Sequence, residues 1–239
     1  MAGPVKNVYK RGEGRFTLYR KSWSYRRRRH HRRLILSDTR DQGLDATCLY
    51  NAICGVMEAE LCMQGIIVKL SVDHLAMMAS DWISCASGPQ QRCLSTELPT
   101  ILNNLACVGI YTDDDYKMGC VTGTRYKIRS YEQLSWFKST TPGAVHKLRE
   151  RGPLLAVIQI SSNFVSDFLS GRVYWFDKAK CSKGRQIPTH AVISTGYAID
   201  NLLPIWEMQN SHGEVGVEKG FGYFDFDSLV GLYSLNIDV

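Results

Sequence analysis

Gln42 stands six residues ahead of Cys48 in Gln42-Gly43-Leu44-Asp45-Ala46-Thr47-Cys48. The cysteine opens a run in which Ile53, Val56, Met57, Leu61 and Cys62 recur at three- and four-residue steps, the spacing of a helix that buries an apolar face. A thiol at a helix N-terminus feels the positive end of the macrodipole, which favours the nucleophilic thiolate. An amide just upstream has the reach to donate to an oxyanion beside that sulfur. Taken alone, the stretch also reads as a loop and a core helix with a buried cysteine, because free cysteine is among the most buried residue types.

Two later residues complete a chemistry. His190 heads a strand-like run in Pro188-Thr189-His190-Ala191-Val192-Ile193, and Asn210 closes another in Trp206-Glu207-Met208-Gln209-Asn210-Ser211-His212-Gly213. Taken alone, His190 also reads as a satisfied, partly buried histidine and Asn210 as a turn residue, since Asn favours turns.

The elements that must position these groups divide the chain. The spacing predicts a short strand at Leu34–Leu36, then helices from Cys48 and from Ser71, which is an N-cap with His74 in the first turn. Another helix is expected over Thr96–Ala106, with helical pieces at Tyr131–Phe137 and Ala144–Arg151. Asp113-Asp114-Asp115 reads as a solvated turn without the ligand spacing of a calcium loop. After Gly152 the pattern becomes strand-like, at 154–160, 172–176, 191–197, 203–209 and 222–226. A helical half followed by a β-rich half predicts an α+β fold in two lobes with a cleft between them.

Composition bounds the function. The chain has 239 residues, of which 44% are hydrophobic and 22% charged, an ordinary balance for a globular domain. No apolar run approaches the roughly 18 residues needed to span a membrane. Residues 1–33 hold twelve Lys or Arg against one acid, and the rest hold seventeen against twenty-two. The expected organisation is a poorly ordered basic arm over 1–33 and one domain over 34–239, helical to about 140 and β-rich from 141. Tyr25-Arg26-Arg27-Arg28-Arg29-His30-His31-Arg32-Arg33 is a solvated charge block, or a contact for an anionic partner or an import receptor. The eight cysteines include no CxxC pair, so neither a metal site nor a cofactor is expected. Met1–Lys6 lacks the apolar core of a secretory signal.

With these motifs in order, the sequence resembles the papain-like cysteine peptidases. The resemblance rests on Gln42-Gly43 with Cys48, on His190-Ala191-Val192 with Gly196-Tyr197, on Asn210-Ser211 with Gly213, and on Gly222-Tyr223. It spans roughly residues 34–239, and its Cys-to-His gap of 142 residues fits the family. The resemblance implies Cys48 as nucleophile, His190 as its proton partner, Asn210 as the orienting amide and Gln42 as an oxyanion donor. It also implies Gly88 as a contact for the substrate backbone, and a helical lobe with a long central helix beside a β-barrel-like lobe.

The departures shape the expectation. Asp45 and Ala46 stand where the family has a bridged cysteine and a glycine, Leu49 where it has an aromatic, and His212 where it has a tryptophan. Each of three family bridges has lost one half, leaving Cys85, Cys120 and Cys181. Losing three bridges, each worth about 2–4 kcal/mol, is severe for a secreted enzyme and harmless in a reducing compartment. The expected protein is a monomeric cysteine-type endopeptidase without a pro-segment, acting on protein or peptide substrates with reduced or narrowed activity. Its expected place is the cytosol or nucleus, against a family habit of lysosomes, vacuoles and the extracellular space. The competing readings are a papain-fold binding module with little turnover and an Arg-rich nucleic-acid binder.

Overall fold

The computed structural model describes residues 21–86, 94–120, 122–134, 141–181, 186–200 and 203–238. The chain begins with three short strands, β1 (Lys21–Ser24), β2 (Arg29–His30) and β3 (Arg33–Leu34). Helices α1 (Cys48–Met63), α2 (Val72–Ala86), α3 (Leu94–Val108) and α4 (Asp113–Lys117) follow. Next come β4 (Lys127–Gln133), α5 (Thr141–Arg151), β5 (Leu154–Gln159), α6 (Phe164–Ser170) and β6 (Val173–Tyr174). The long strands β7 (Thr189–Asp200), β8 (Leu203–Gln209), β9 (Phe221–Asp225) and β10 (Leu229–Asp238) complete the fold.

The architecture is α+β, with helices α1–α3 against a large sheet in the order β4-β10-β5-β7-β8-β9-β6. Among the described residues this sheet is an open path and not a closed barrel. Its centre is β7, which pairs β8 on one edge and β5 on the other. Beyond Ser194 the β5 edge passes to β1, with Trp23 opposite Tyr197 and Ser24 opposite Gly196. A Cβ on Gly196 would lie 2.6 Å from the Trp23 carbonyl oxygen, so this handover needs glycine.

Helix α1 is the central element because almost every face of it is covered. Leu49, Ile53, Met57 and Leu61 are fully buried in one cluster with α2, α3 and the inner sheet face, while Ala59 faces a second cluster under α5 and α6. A helix apolar nearly all round belongs in the interior. Gly55 lets it lie close to β7, since a Cβ there would meet Ile193 Cδ1 at 2.4 Å. This contact locks the helix that starts at Cys48 to the strand that carries His190.

Three expectations change. The basic segment was expected outside the fold up to residue 33, yet residues 21–26 are built in, while 27–29 and 31–33 are exposed. β1 joins the sheet, the Tyr25 N–H donates to the Thr195 carbonyl at 2.8 Å, and Arg26 pairs with Glu218 at 2.8 Å while lying over Phe221. The aromatic residues that interleave with the charges supply the apolar contacts that a free arm lacks. Tyr131, expected to lie on a helix, sits on β4, where the chain pairs with β10 and buries Ile128. Sequence-distant partners decided that segment, as they often do for strands. Asp113-Asp114-Asp115 opens helix α4 instead of a bare turn, because Thr112 caps it by accepting from the Asp115 N–H at 3.1 Å. The Ser71 cap is found as expected, accepting from the His74 N–H at 3.1 Å.

Candidate active site

Cys48 is the first residue of α1 and is 9% exposed. Thr47 precedes it as N-cap without capping the helix through its hydroxyl, which instead accepts from Asn51 Nδ2 at 3.1 Å. No acidic residue lies in the first turn, so the positive end of the helix is unneutralised at the thiol. The backbone N–H dipoles of Ala191, Leu49 and Cys48 itself also favour thiolate. Burial outweighs them and pushes the thiol above its usual value.

Cys48 shares a buried cluster with Ala191, the residue after His190. His190 sits near the start of β7, opposite Ile158, and is buried. Its Nε2 is 2.7 Å from Asn210 Oδ1. The amide orientation is fixed by a second bond, because the same Oδ1 accepts from the Ser211 N–H at 2.9 Å. An oxygen accepts, so Nε2 carries the hydrogen and Nδ1 is the basic nitrogen of the neutral ring. Two rings hold the imidazole. Phe164 meets it edge-on at 5.3 Å, and His212 stacks on it at 5.6 Å with a 10° interplanar angle. Burial drives His190 down to about 4, against the Asn210 bond, which favours the cation, and with His212, which opposes it.

Asn210 ends β8, where the strand turns outward. Its N–H donates to the Gly220 carbonyl at 2.9 Å. Gly220 has φ +81°, and a Cβ there would lie 2.6 Å from the Gly213 carbonyl oxygen, so the loop closes only with glycine.

Gln42 is brought to the same loop. Its N–H donates to the Ser211 carbonyl at 2.8 Å, and its Oε1 accepts from the Ser211 hydroxyl. One hydrogen of its amide goes to the Asp45 carbonyl at 2.5 Å, leaving one for another acceptor. Gly88 lies outside the described residues, as do the side chains of Cys85 and Cys93. Cys120 and Cys181 are free thiols. No group of three or more potential metal ligands occurs among the described residues.

Residues 20–230 match the family described as papain family cysteine protease. The chain belongs to the papain family. Two solved structures share its fold. One, concerning the limited antibody cross-reactivity between the mite allergens Blo t 1 and Der p 1, is 21% identical, with a TM-score of 0.68 over 98% of this chain and 74% of that one. The other, digestive procathepsin L 3 of Tenebrio molitor larval midgut, is 18% identical, with a TM-score of 0.64 over 90% of this chain and 69% of that one. No curated protein matches the sequence.

Within this papain-family fold, His190 bonds Asn210, Gln42 is held by Ser211 next to it, and Cys48 opens the helix that packs on β7. Sequence reasoning did not foresee Ser211 as the residue that holds Gln42, or Phe164 as a wall of the imidazole. Both contacts join segments far apart in the chain and carry no local pattern. His212 had a signal, the loss of an aromatic at its position, but its stacking on His190 is visible only in space.

Proposed function

We propose that the protein is a cysteine-type endopeptidase in which Cys48, His190, Asn210 and Gln42 act on a peptide bond. The observation that carries this reading is the 2.7 Å bond from His190 to Asn210, on the strand against which the helix of Cys48 packs. It sets the imidazole tautomer that can take a proton from sulfur.

The Cys48 proton passes to His190 Nδ1, and the thiolate attacks the carbonyl carbon. Negative charge collects on the carbonyl oxygen, facing the Cys48 N–H and the remaining Gln42 amide hydrogen. His190 gives its Nδ1 proton to the leaving amine, the C–N bond breaks, and a thioester remains. A water then loses a proton to Nδ1 and attacks the thioester, and Cys48 leaves as thiolate. Asn210 holds Nε2–H throughout. Burial opposes charge on either Cys48 or His190 alone, so the pair separates charge together, in a pocket where each ion stabilises the other.

A binding-only role leaves the buried His190–Asn210 bond without a purpose, since keeping an imidazole neutral inside the fold costs stability in mild acid. Hydrolysis of internally quenched peptides tests the proposal. The wild type should cleave them and Cys48→Ala should not; equal rates for the two would refute it.

A further inference from the structure

We infer that His212 is a positioning residue for His190, and that its uncharged form is the one that permits the Cys48–His190 charge pair. The inference rests on the peptidase reading and goes beyond it by assigning the acid limit of the site to a second imidazole.

The geometry is specific. The two rings are nearly parallel, 10° apart at 5.6 Å, so His212 covers one face of His190 as Phe164 closes against it from elsewhere. The His212 backbone is fixed on both sides. It forms an antiparallel bridge with Asp41, the Ser211 carbonyl accepts from the Gln42 N–H, and the Gly213 N–H donates to the Arg40 carbonyl at 2.8 Å. The ring is half-buried, so it stays in contact with solvent protons while its neighbour does not.

An apolar cover would be electrically silent, but this one can take up a proton. When it does, a cation faces the ring that must itself become cationic when the Cys48 proton moves to Nδ1. Two like charges 5.6 Å apart repel across a site with little water to screen them. The titratable groups shown against it are Asp41 of the bridged segment, which is exposed, and His190 of β7, with Glu214 two residues on in the same loop and also exposed. Protonation of His212 therefore competes with the charge pair, and the site closes as pH falls.

The test is the pH dependence of Cys48 alkylation by iodoacetamide in the wild type, His212→Trp and His212→Gln. In both variants the acid limb should move about one pH unit lower, because the competing charge is gone. His212→Arg, which carries a permanent charge, should be slow at every pH. Acid limbs that coincide in the wild type and both neutral variants overturn the inference. A wild type whose Cys48 is not alkylated at any pH sinks the peptidase reading instead. NMR titration of the His190 ring then still decides the inference: its midpoint rises in His212→Gln if His212 acts as argued, and stays put if it does not.

Discussion

The acid–base side of the proposed site and its proposed oxyanion side are built differently. His190 and Asn210 lie at the ends of adjacent sheet strands, are both buried, and meet through one short bond with a fixed amide. Gln42 lies on a half-buried loop, its amide oxygen held by the Ser211 hydroxyl and one of its hydrogens spent on Asp45. The first half is positioned by the sheet register, which cannot slip without turning its buried residues outward. The second is positioned by a few loop bonds that can exchange with water. Proton transfer should therefore be well prepared, and oxyanion stabilisation should be the adjustable part.

That contrast orders the expected losses. Cys48→Ala removes the nucleophile and should lower kcat by about five powers of ten, to the level left by binding alone. In peptide hydrolysis assays, Asn210→Ala should lower kcat by about 10³-fold, because it frees a buried imidazole to take the wrong tautomer. An equilibrium measurement tests the same half. His190 is held at about 4, below the ordinary value near 6.5, so the unfolded chain binds the proton first as pH falls. The stability this group contributes is whole above about 6.5 and is lost as pH drops through 4, a change of about 3 kcal/mol. Urea unfolding across that window should show the loss in the wild type and not in His190→Gln. Glu60, which burial raises to about 7, works in the opposite direction in both proteins and so cancels from the difference.

Gln42→Ala should cost less than Asn210→Ala, about 10–100-fold in kcat, at or below the usual loss for one oxyanion donor. A cost greater than that of Asn210→Ala would reverse the comparison. Ser211→Ala is the mildest, about fivefold, because it removes a hydrogen bond worth about 1 kcal/mol from the residue that aims Gln42. If the double variant with Gln42→Ala loses no more activity than Gln42→Ala alone, Ser211 acts only through Gln42.

The legible parts of this molecule are those with a local cause. The α1 helix follows from its apolar repeat, the Ser71 cap from its hydroxyl, and β7 and β8 from their runs of strand formers. Cys48, His190 and Asn210 stood out as candidates through the order of their motifs, each of which is weak alone. The segment from Lys21 to Arg26 was misread because charge dominates its composition, whereas its fate is decided by β1 docking on β7 and by Arg26 meeting Glu218. Likewise β4 depends on β10, more than 90 residues away in the chain. The hold of Ser211 on Gln42 and the stack of His212 on His190 are cross-chain contacts of the same kind. Side-chain polarity announces them as groups needing partners but does not say which partner.

The central claim is that Cys48 is an activated nucleophile among otherwise unreactive thiols. Mass spectrometry after a peptidyl epoxide tests it most directly. The account predicts a single adduct on Cys48, suppressed by competing peptide and lost in His190→Ala. An unmodified Cys48 in the folded protein, or labelling that falls instead on the exposed Cys107, would contradict it.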